Sequence, residues 1–276
     1  MMRSTALNLA IATSVLALGG AASAAAAELV PHRAVYDLSL HERSDRAGIT
    51  AISGRMVYDF DGSSCDGYTV NFRFVTQFDT EDFSRLIDEQ STTYEGPDGE
   101  SFDFAMRSYL DGNLDRETRG SATPESDGTH VSVEKPEPLE HHLGPSLFPT
   151  QHLKDLLARI GEGRTFYETT LFDGSEAGSK VMTTTVVVGR RGTLAEDDRE
   201  HDLMAQLGEP QFWPVNIAYF DLQNGDGTGE GMPTYRIEFK LHEGGISHDL
   251  VMDYGDFAIA GQLVELETFE PRDDCN

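Results

Sequence analysis

Apolar and polar residues alternate along most of this chain, which is the pattern of β-strands buried on one face. In three early segments the apolar members of each strand would lie on the same side. These members are Ala34, Tyr36, Leu38 and Leu40, then Thr50, Ile52, Met56, Tyr58 and Phe60, then Tyr68, Val70, Phe72, Phe74 and Phe78. Turn-forming pairs such as Asp61-Gly62 and Asp111-Gly112 separate such segments. The pattern therefore predicts antiparallel strands.

Further strands are predicted downstream by the same alternation. They cover about 84–95, 101–109, 129–135, 164–173, 180–190, 212–220, 233–243, 246–254 and 257–268. Three segments interrupt them. We expect a loop at 120–128, an irregular stretch with four prolines at 136–149, and an acidic segment at 195–210 with room for a helical turn.

One helix interrupts the strands. Pro149 or Thr150 would begin it, and Gly161 stands where a C-cap glycine belongs. Its apolar residues are spaced i, i+3, i+4, i+7 and are expected in the core: Leu153, Leu156, Leu157 and Ile160. In a chain of strands, this stripe can be covered by the concave face of a curved sheet. We therefore predict a mainly β fold, a large antiparallel sheet, curled and barrel-like, wrapped around one central α-helix.

The first 27 residues have the features of a secretory signal peptide. A basic start at Arg3 precedes an apolar run from Ala6 to Gly20, and small residues then offer A-x-A cleavage patterns up to Ala27. The run is short for a membrane span, and no second run approaches that length. We predict export to the periplasm, a cleaved segment 1–27, a single domain at 28–276 and no transmembrane segment.

The chain is strongly acidic, with 48 Asp and Glu against 21 Lys and Arg and a formal net charge of −27. Loss of residues 1–27 removes one Arg and no acid, so the remainder carries 20 − 48 = −28. Such a charge repels nucleic acid and anionic membrane surfaces. Nucleic acid is therefore excluded as a partner.

Two cysteines, Cys65 and Cys275, are present. An even number in an exported chain favours a disulfide, and two cysteines allow one intramolecular pairing. The loop would span 275 − 65 = 210 residues. An unstrained bridge of that length stabilises the fold by about 5 kcal/mol on the chain-entropy model. No C-x-x-C motif is present that would indicate a catalytic thiol pair.

The search for catalytic and metal motifs is negative. G-x-S-x-G, P-loop, H-E-x-x-H and S-x-x-K patterns are absent. His141, His142 and His152 lie around the helix start, but adjacent histidines seldom converge on one ion, and hydrogen bonding is the favoured interpretation. Segment 224–230 has only part of a calcium-loop pattern and is interpreted as an acidic hairpin tip. We predict no catalytic residues, no metal and no cofactor.

Two acid pairs are candidates for a glycosidase: Asp249 with Asp253, and Asp253 with Glu243. Such pairs arise by chance among 48 acids, and Trp213 is the single tryptophan available to stack on a sugar. A solvated acidic surface is the better interpretation. A separate hypothesis is a lipid site inside the curled sheet, formed by inward aromatic side chains, but the favoured interpretation is that the helix fills this space as core. The candidates are Phe72, Phe74, Phe102, Phe104, Phe166 and Phe172.

Four stretches resemble the EipB family of periplasmic cell-envelope integrity proteins. They are SLFPTQH at 146–152, LFDGS at 171–175, PVNIAYFD at 214–221 and DLVMDYGDF at 249–257. Together with Cys65 and Cys275, they extend the resemblance from about Val30 to Cys275.

The resemblance implies a β-spiral wound around a helix at about 150–160, a Cys65–Cys275 disulfide, and a non-enzymatic role in envelope integrity. It suggests a functional link to a periplasmic tetratricopeptide-repeat protein. We expect a monomer that binds envelope proteins or cell-wall components. The alternative is a periplasmic carrier of a lipid or other hydrophobic ligand, and a wall hydrolase is the third possibility.

Overall fold

A computed structural model describes residues 28–208, 211–221 and 231–270. These residues form a mainly β structure with one long helix. The strands are β1 (His32–Arg43), β2 (Ile49–Ser63), β3 (Gly67–Thr80), β4 (Ser84–Glu95), β5 (Phe102–Leu110), β6 (Asn113–Glu125), β7 (Gly128–Lys135), β8 (Leu139–Leu143), β9 (Phe166–Leu171), β10 (Met182–Val188), β11 (Gly192–Thr193), β12 (Gln211–Phe220), β13 (Tyr235–Leu241), β14 (Ser247–Asp253) and β15 (Phe257–Thr268). The helical segments are α1 (Pro149–Gly161), α2 (Ser175–Gly178) and α3 (His201–Met204).

The strands form one antiparallel sheet in the order β8-β7-β6-β5-β4-β3-β2-β1-β15-β14-β13-β12-β10-β9, and β11 pairs with β12. Most neighbours are consecutive hairpins, as the turn residues predict. The exceptions are β10, which pairs with β12, and β1, which pairs with both β2 and β15, so that the first and last strands meet in the middle of the sheet. The sheet therefore has two arms, β2–β8 and β9–β15.

The sheet curls without closing. Its terminal strands, β8 and β9, do not pair with each other. Leu147, between β8 and α1, instead forms an isolated parallel bridge to Leu171 of β9, and the Phe172 N–H donates to the Leu147 carbonyl at 2.9 Å. The predicted large antiparallel, curled and barrel-like sheet is confirmed.

Two segments that we expected to be irregular contain strands. Residues 120–128 were predicted as a loop, but β6 continues to Glu125, and Gly128 begins β7. The glycine in this stretch serves close packing, because a Cβ at Gly120 would lie 2.7 Å from the Phe104 ring. The expected irregular stretch 136–149 contains β8 at Leu139–Leu143, a proline-free run that can pair with β7.

Helix α1 lies against the concave face and contacts both arms. Leu156 and Leu157 are buried, and Leu153 and Ile160 pack partly buried against the same cluster. The cluster draws on β2, β3, β9, β10, β12 and β13 through Phe60, Tyr68, Tyr167, Val186, Val188, Val215, Ile217 and Leu241. The helix thus fills one end of the interior.

A second filled region is aromatic and lies next to the start of α1. The rings of Phe102, Phe104, Phe148 and Phe172 contact one another with centroids 5.1–6.3 Å apart. Phe166, which was expected to face inward with them, points outward instead and is 61% exposed. The inward positions of β9 belong to Tyr167 and Leu171, which are buried.

Candidate functional site

The interior is open where α1 does not fill it. A cavity of about 330 Å³ lies there on the concave side of β3–β6. Alternation along the strands brings Glu89 and Ser91 of β4, Met106 of β5 and Thr118 of β6 to its surface. We call this space the inner cleft.

The segment after β9 forms one rim of the inner cleft through Asp173, Ser175 and Glu176. Gly174 has a φ of +79°, and a Cβ there would lie 2.6 Å from the Phe104 ring, so glycine is required. The Asp173 carboxylate accepts the Ser175 N–H at 2.9 Å. Glu176 also has a positive φ, at 49°, so α2 is a left-handed turn. The turn holds two carboxylates at the rim.

Aromatic residues of the other arm form a row, in which Tyr235 and Phe257 pack against the hydrophobic core. The rings of Tyr219, Tyr235, Tyr254 and Phe257 follow one another with centroids 5.3, 5.1 and 5.1 Å apart. We call this row the tyrosine ladder. Its members come from β12, β13, the β14–β15 turn and β15.

Burial shifts the pKa values of Glu89 and of two tyrosines in the row. Burial raises the pKa of Glu89, and the positive charge of Arg116 opposes that rise. Burial also raises the pKa of Tyr254 to about 12, and the negative charge of Glu89 adds to this increase. The pKa of Tyr219 is raised by burial and further by Asp173. Tyr219 and Tyr254 are therefore neutral phenols at physiological pH.

The residues lining the inner cleft suit binding better than covalent chemistry. Neither histidine nor cysteine lines the cavity among the residues that the structure describes. Glu89 is surrounded by protein atoms yet exposed to solvent, as expected for a group inside an open concave surface. The available chemistry is hydrogen bonding, charge and aromatic contact.

The acids considered for hydrolysis lie elsewhere. Asp253 forms an ion pair with Arg236 at 2.7 Å, and Asp249 forms one with Lys240 at 2.9 Å. Asp253 is paired in register with Arg236, so Glu243 is not its cross-strand neighbour. These acids belong to the outer face, and the proposed acid pairs are not formed in the inner cleft.

The three histidines near the helix start do not meet. His152 is buried in α1, with Nε2 3.2 Å from the Thr184 hydroxyl. His142 of β8 lies close to Glu125 and Asp127. The possible metal-ligand atoms of these three residues all lie within 4.8 Å of one another. All three are exposed, and this grouping was not foreseen, because it depends on the pairing of β6, β7 and β8.

Sequence reasoning also missed a buried cluster. His248 of β14 and His242 are both buried, and their rings lie 5.0 Å apart. Glu200, also buried, contacts His248 Nδ1 at 2.5 Å. Burial lowers the pKa of His242 to about 4. No local sequence pattern predicts this cluster, because Glu200 and His248 are 48 residues apart in the sequence.

Other predicted features fall partly outside the described residues. Cys65 lies in the β2–β3 turn, whereas Cys275 lies outside them, so the disulfide stays a prediction. The predicted signal peptide 1–27 and the acidic segment 224–230 also lie outside. Within the described part of the chain, no helix is both long and apolar enough to cross a membrane.

Comparisons with known proteins agree on one family. A sequence model described as EipB-like matches residues 23–270. A curated relative, "Cell envelope integrity protein EipB" from Brucella abortus (strain 2308), is 45% identical over 253 residues, which cover 91% of this chain and 89% of the relative. The relative's name describes a role in the envelope and no reaction.

A solved structure gives the same result for the fold. It is a crystal structure of a beta-barrel-like protein of domain of unknown function DUF1849 from Brucella abortus. It matches with a TM-score of 0.84 and 45% identity, covering 89% of this chain and all of the other. The family match spans the whole described sheet, and the identity is 45% over most of both chains. This chain therefore belongs to the EipB-like family.

Proposed function

We propose that this chain is a non-enzymatic periplasmic protein that supports cell-envelope integrity by binding an envelope protein or cell-wall component in the inner cleft. The observation that carries the proposal is the set of charged groups, Glu89, Asp173 and Arg116, that line the inner cleft on the concave side of the sheet. Partial burial raises the pKa of Glu89, so its charged form is held there at a cost that an apolar residue would avoid. A recognition site offers a reason to retain them.

Family membership supports the envelope role. The Brucella relative carries that role in its name and is similar along almost its whole length. The predicted signal peptide supports the periplasmic location, and the family suggests a tetratricopeptide-repeat protein among the partners. The net charge of −27 disfavours nucleic acid and anionic membrane surfaces as partners. We expect the protein to act as a monomer.

A complementation experiment tests the role of the inner cleft. The bacterium's own gene is deleted, and sensitivity to a bile-salt detergent is measured with variants that are exported and folded. Ser91→Trp should fill the inner cleft and fail to restore resistance. Thr92→Trp places the same side chain on the opposite, exposed face of β4 and should restore it. Equal rescue by both variants would contradict the proposal.

The alternative is a carrier of a lipid or other hydrophobic ligand. Phe72 and Met106 favour it, because both contribute apolar surface to the same cavity. Native mass spectrometry of protein purified gently from periplasm distinguishes the carrier from the protein that binds envelope proteins or wall components. A discrete extra mass that is lost on denaturation would favour a carrier. A bare monomer would leave the binding of envelope proteins or wall components as the better account.

A further inference from the structure

The hairpin of β6 and β7 places two carboxylates around one imidazole of the terminal strand β8. Nδ1 of His142 lies 3.5 Å from a Glu125 carboxylate oxygen, and Nε2 lies 3.7 Å from an Asp127 carboxylate oxygen. One ligand atom from each of the three residues lies within 4.8 Å of the other two. We call these three residues the hairpin triad.

The pairing of β7 with β8 positions the hairpin triad. His130 is directly opposite His142, and Thr129 is opposite Leu143 beside the turn. Glycine is required at position 128, because a Cβ on Gly128 would lie 2.2 Å from the Leu143 carbonyl oxygen and 3.1 Å from His142 Nε2. The His142 ring therefore lies against the turn, with one nitrogen toward each acid.

The two carboxylates share a single partner. Within the part of the chain that the structure describes, His142 is the one basic side chain within ion-pair distance of Glu125 or Asp127, and both distances are longer than ordinary hydrogen bonds. Glu140, the next acid on β8, is instead paired with His130 at 3.2 Å. The like charges of Glu125 and Asp127 repel each other, and a cation between them would remove that repulsion.

The donor set indicates which cation fits. Imidazole nitrogen suits Zn²⁺, Ni²⁺ and Cu²⁺, whereas Ca²⁺ and Mg²⁺ are bound by oxygen ligands. One imidazole and two carboxylates supply three protein ligands and leave a position for water, as in open zinc sites. Zinc–ligand bonds of about 2.0–2.2 Å place the ligand atoms about 3.4 Å apart, so the exposed side chains need to move inward by about 1 Å.

We propose that Glu125, Asp127 and His142 bind a divalent transition-metal ion of the zinc type. Val131 and Val133 of β7 are buried, so the residues that alternate with them, one of which is opposite His142, face outward. The hairpin triad therefore lies on the outer face of the sheet, whereas the inner cleft is on the concave side. The metal site does not depend on the proposed function.

The fold supplies ligands that the sequence does not place next to His142. His141 is opposite the buried Val131 and lies on the other face of β8, so the two adjacent histidines do not converge. The other ligands come instead from the turn between β6 and β7. A bound ion would join this turn to β8, which ends the described sheet.

The first test is a calorimetric titration of the metal-free mature protein with zinc chloride. An excess of magnesium chloride is present throughout, to occupy oxygen-only sites on this acidic surface. We expect one equivalent of zinc to bind under these conditions. Absence of saturable zinc binding, or its complete suppression by magnesium, would overturn the proposal.

Variants then locate the site. His142→Gln removes the imidazole and should weaken zinc binding at least about tenfold, since losing even a residue that only supports a metal ligand costs that much. Glu125→Gln keeps the shape, removes a charge and should act in the same direction. His41→Gln, at an exposed histidine 4.0 Å from Glu42, is the matched control and should bind zinc as the parent does. Unchanged zinc affinity in both His142→Gln and Glu125→Gln would overturn the proposal.

Hydrogen exchange gives a second readout that does not rely on affinity. Zinc should slow amide exchange in β8 and in the turn at 125–128 of the parent, and should leave the exchange of His142→Gln unchanged. Zinc that binds without protecting β8 would place the ion elsewhere and contradict the proposal. Detergent resistance with Ser91→Trp tests the inner cleft separately, so either proposal can fail without the other.

Discussion

The carboxylate of Glu95 accepts a hydrogen bond from the backbone N–H of Thr150 at 2.7 Å, which joins the end of β4 to the first turn of α1. Its second oxygen accepts the Gln151 N–H at 2.8 Å. The first N–H groups of a helix have no partner within the helix, and the helix dipole favours a negative charge at this end. Glu95 thus fixes α1 inside the sheet, although burial raises the pKa of its carboxyl group.

Removal of this cap should destabilise the protein. Glu95→Ala leaves two helix N–H groups unpaired in a buried place, and we expect the free energy of unfolding to fall by about 2–4 kcal/mol. Glu95→Gln should lower the free energy of unfolding by less, because its amide oxygen still accepts one hydrogen bond from the helix. Glu134→Ala, which removes an exposed pair with Arg119, is the control and should cost less than about 1 kcal/mol. Urea unfolding measures all three, and equal losses at positions 95 and 134 would refute the capping role.

Acid should unfold the protein partly through its buried histidines. Burial lowers the pKa of His152 to about 4, below the ordinary value of 6.5, so the unfolded chain binds this proton more readily than the folded one. The stability is therefore complete above pH 6.5 and decreases as the pH falls towards 4, by about 3 kcal/mol for this group. His242 acts in the same direction.

The test is the free energy of unfolding measured across that pH window. His152→Gln should remove its share of the pH dependence and flatten the curve, whereas His41→Gln, at an exposed site, should leave the curve parallel to that of the parent. A His152→Gln curve parallel to the parent would show that this histidine is not responsible.

The predicted Cys65–Cys275 disulfide is within reach of the described chain ends. His32 of β1 pairs with Phe60 of β2 and with Thr268 of β15, so the chain leaves β15 two strands away from the hairpin that holds Cys65. Two strand spacings amount to about 10 Å, and the six residues after Phe269 can span about 20 Å.

We expect reduction, or Cys65→Ser, to lower the melting temperature strongly, because the bridge contributes up to about 5 kcal/mol. Intact mass spectrometry should find the native chain two hydrogens lighter than the reduced one. Identical melting curves for oxidised and reduced protein would exclude a stabilising bridge.

The central helix makes a direct prediction about stability. Leu157→Ala removes a buried side chain from the contact between α1 and both arms, and should cost about 2–5 kcal/mol. Leu139→Ala makes the same change at a residue that is 55% exposed and should have little effect. Comparable losses in the two variants would mean that α1 does not fill the interior.

The strands and the helix could be predicted because their evidence is local. Alternation at Tyr36 and Leu38, or the spacing of Leu153 and Leu157, reflects which side of a strand or helix meets the core, and a few consecutive residues reveal it. The same reasoning failed at Gly120. Glycine, serine and proline around it indicate a loop, but the small residue is required by the Phe104 ring from another strand.

By itself, the sequence determined a mainly β fold, its one long helix and the family to which the chain belongs. Only the tertiary structure decided which polar groups meet inside. The Glu95 carboxylate accepts a hydrogen bond from Thr150, which is 55 residues away in the sequence, and Glu200 contacts His248, which is 48 residues away. Glu89 of β4 and Asp173 after β9 line one cavity because the two arms curl toward each other. Alternation specifies the face on which a side chain lies, but the curl of the whole sheet specifies what lies opposite it.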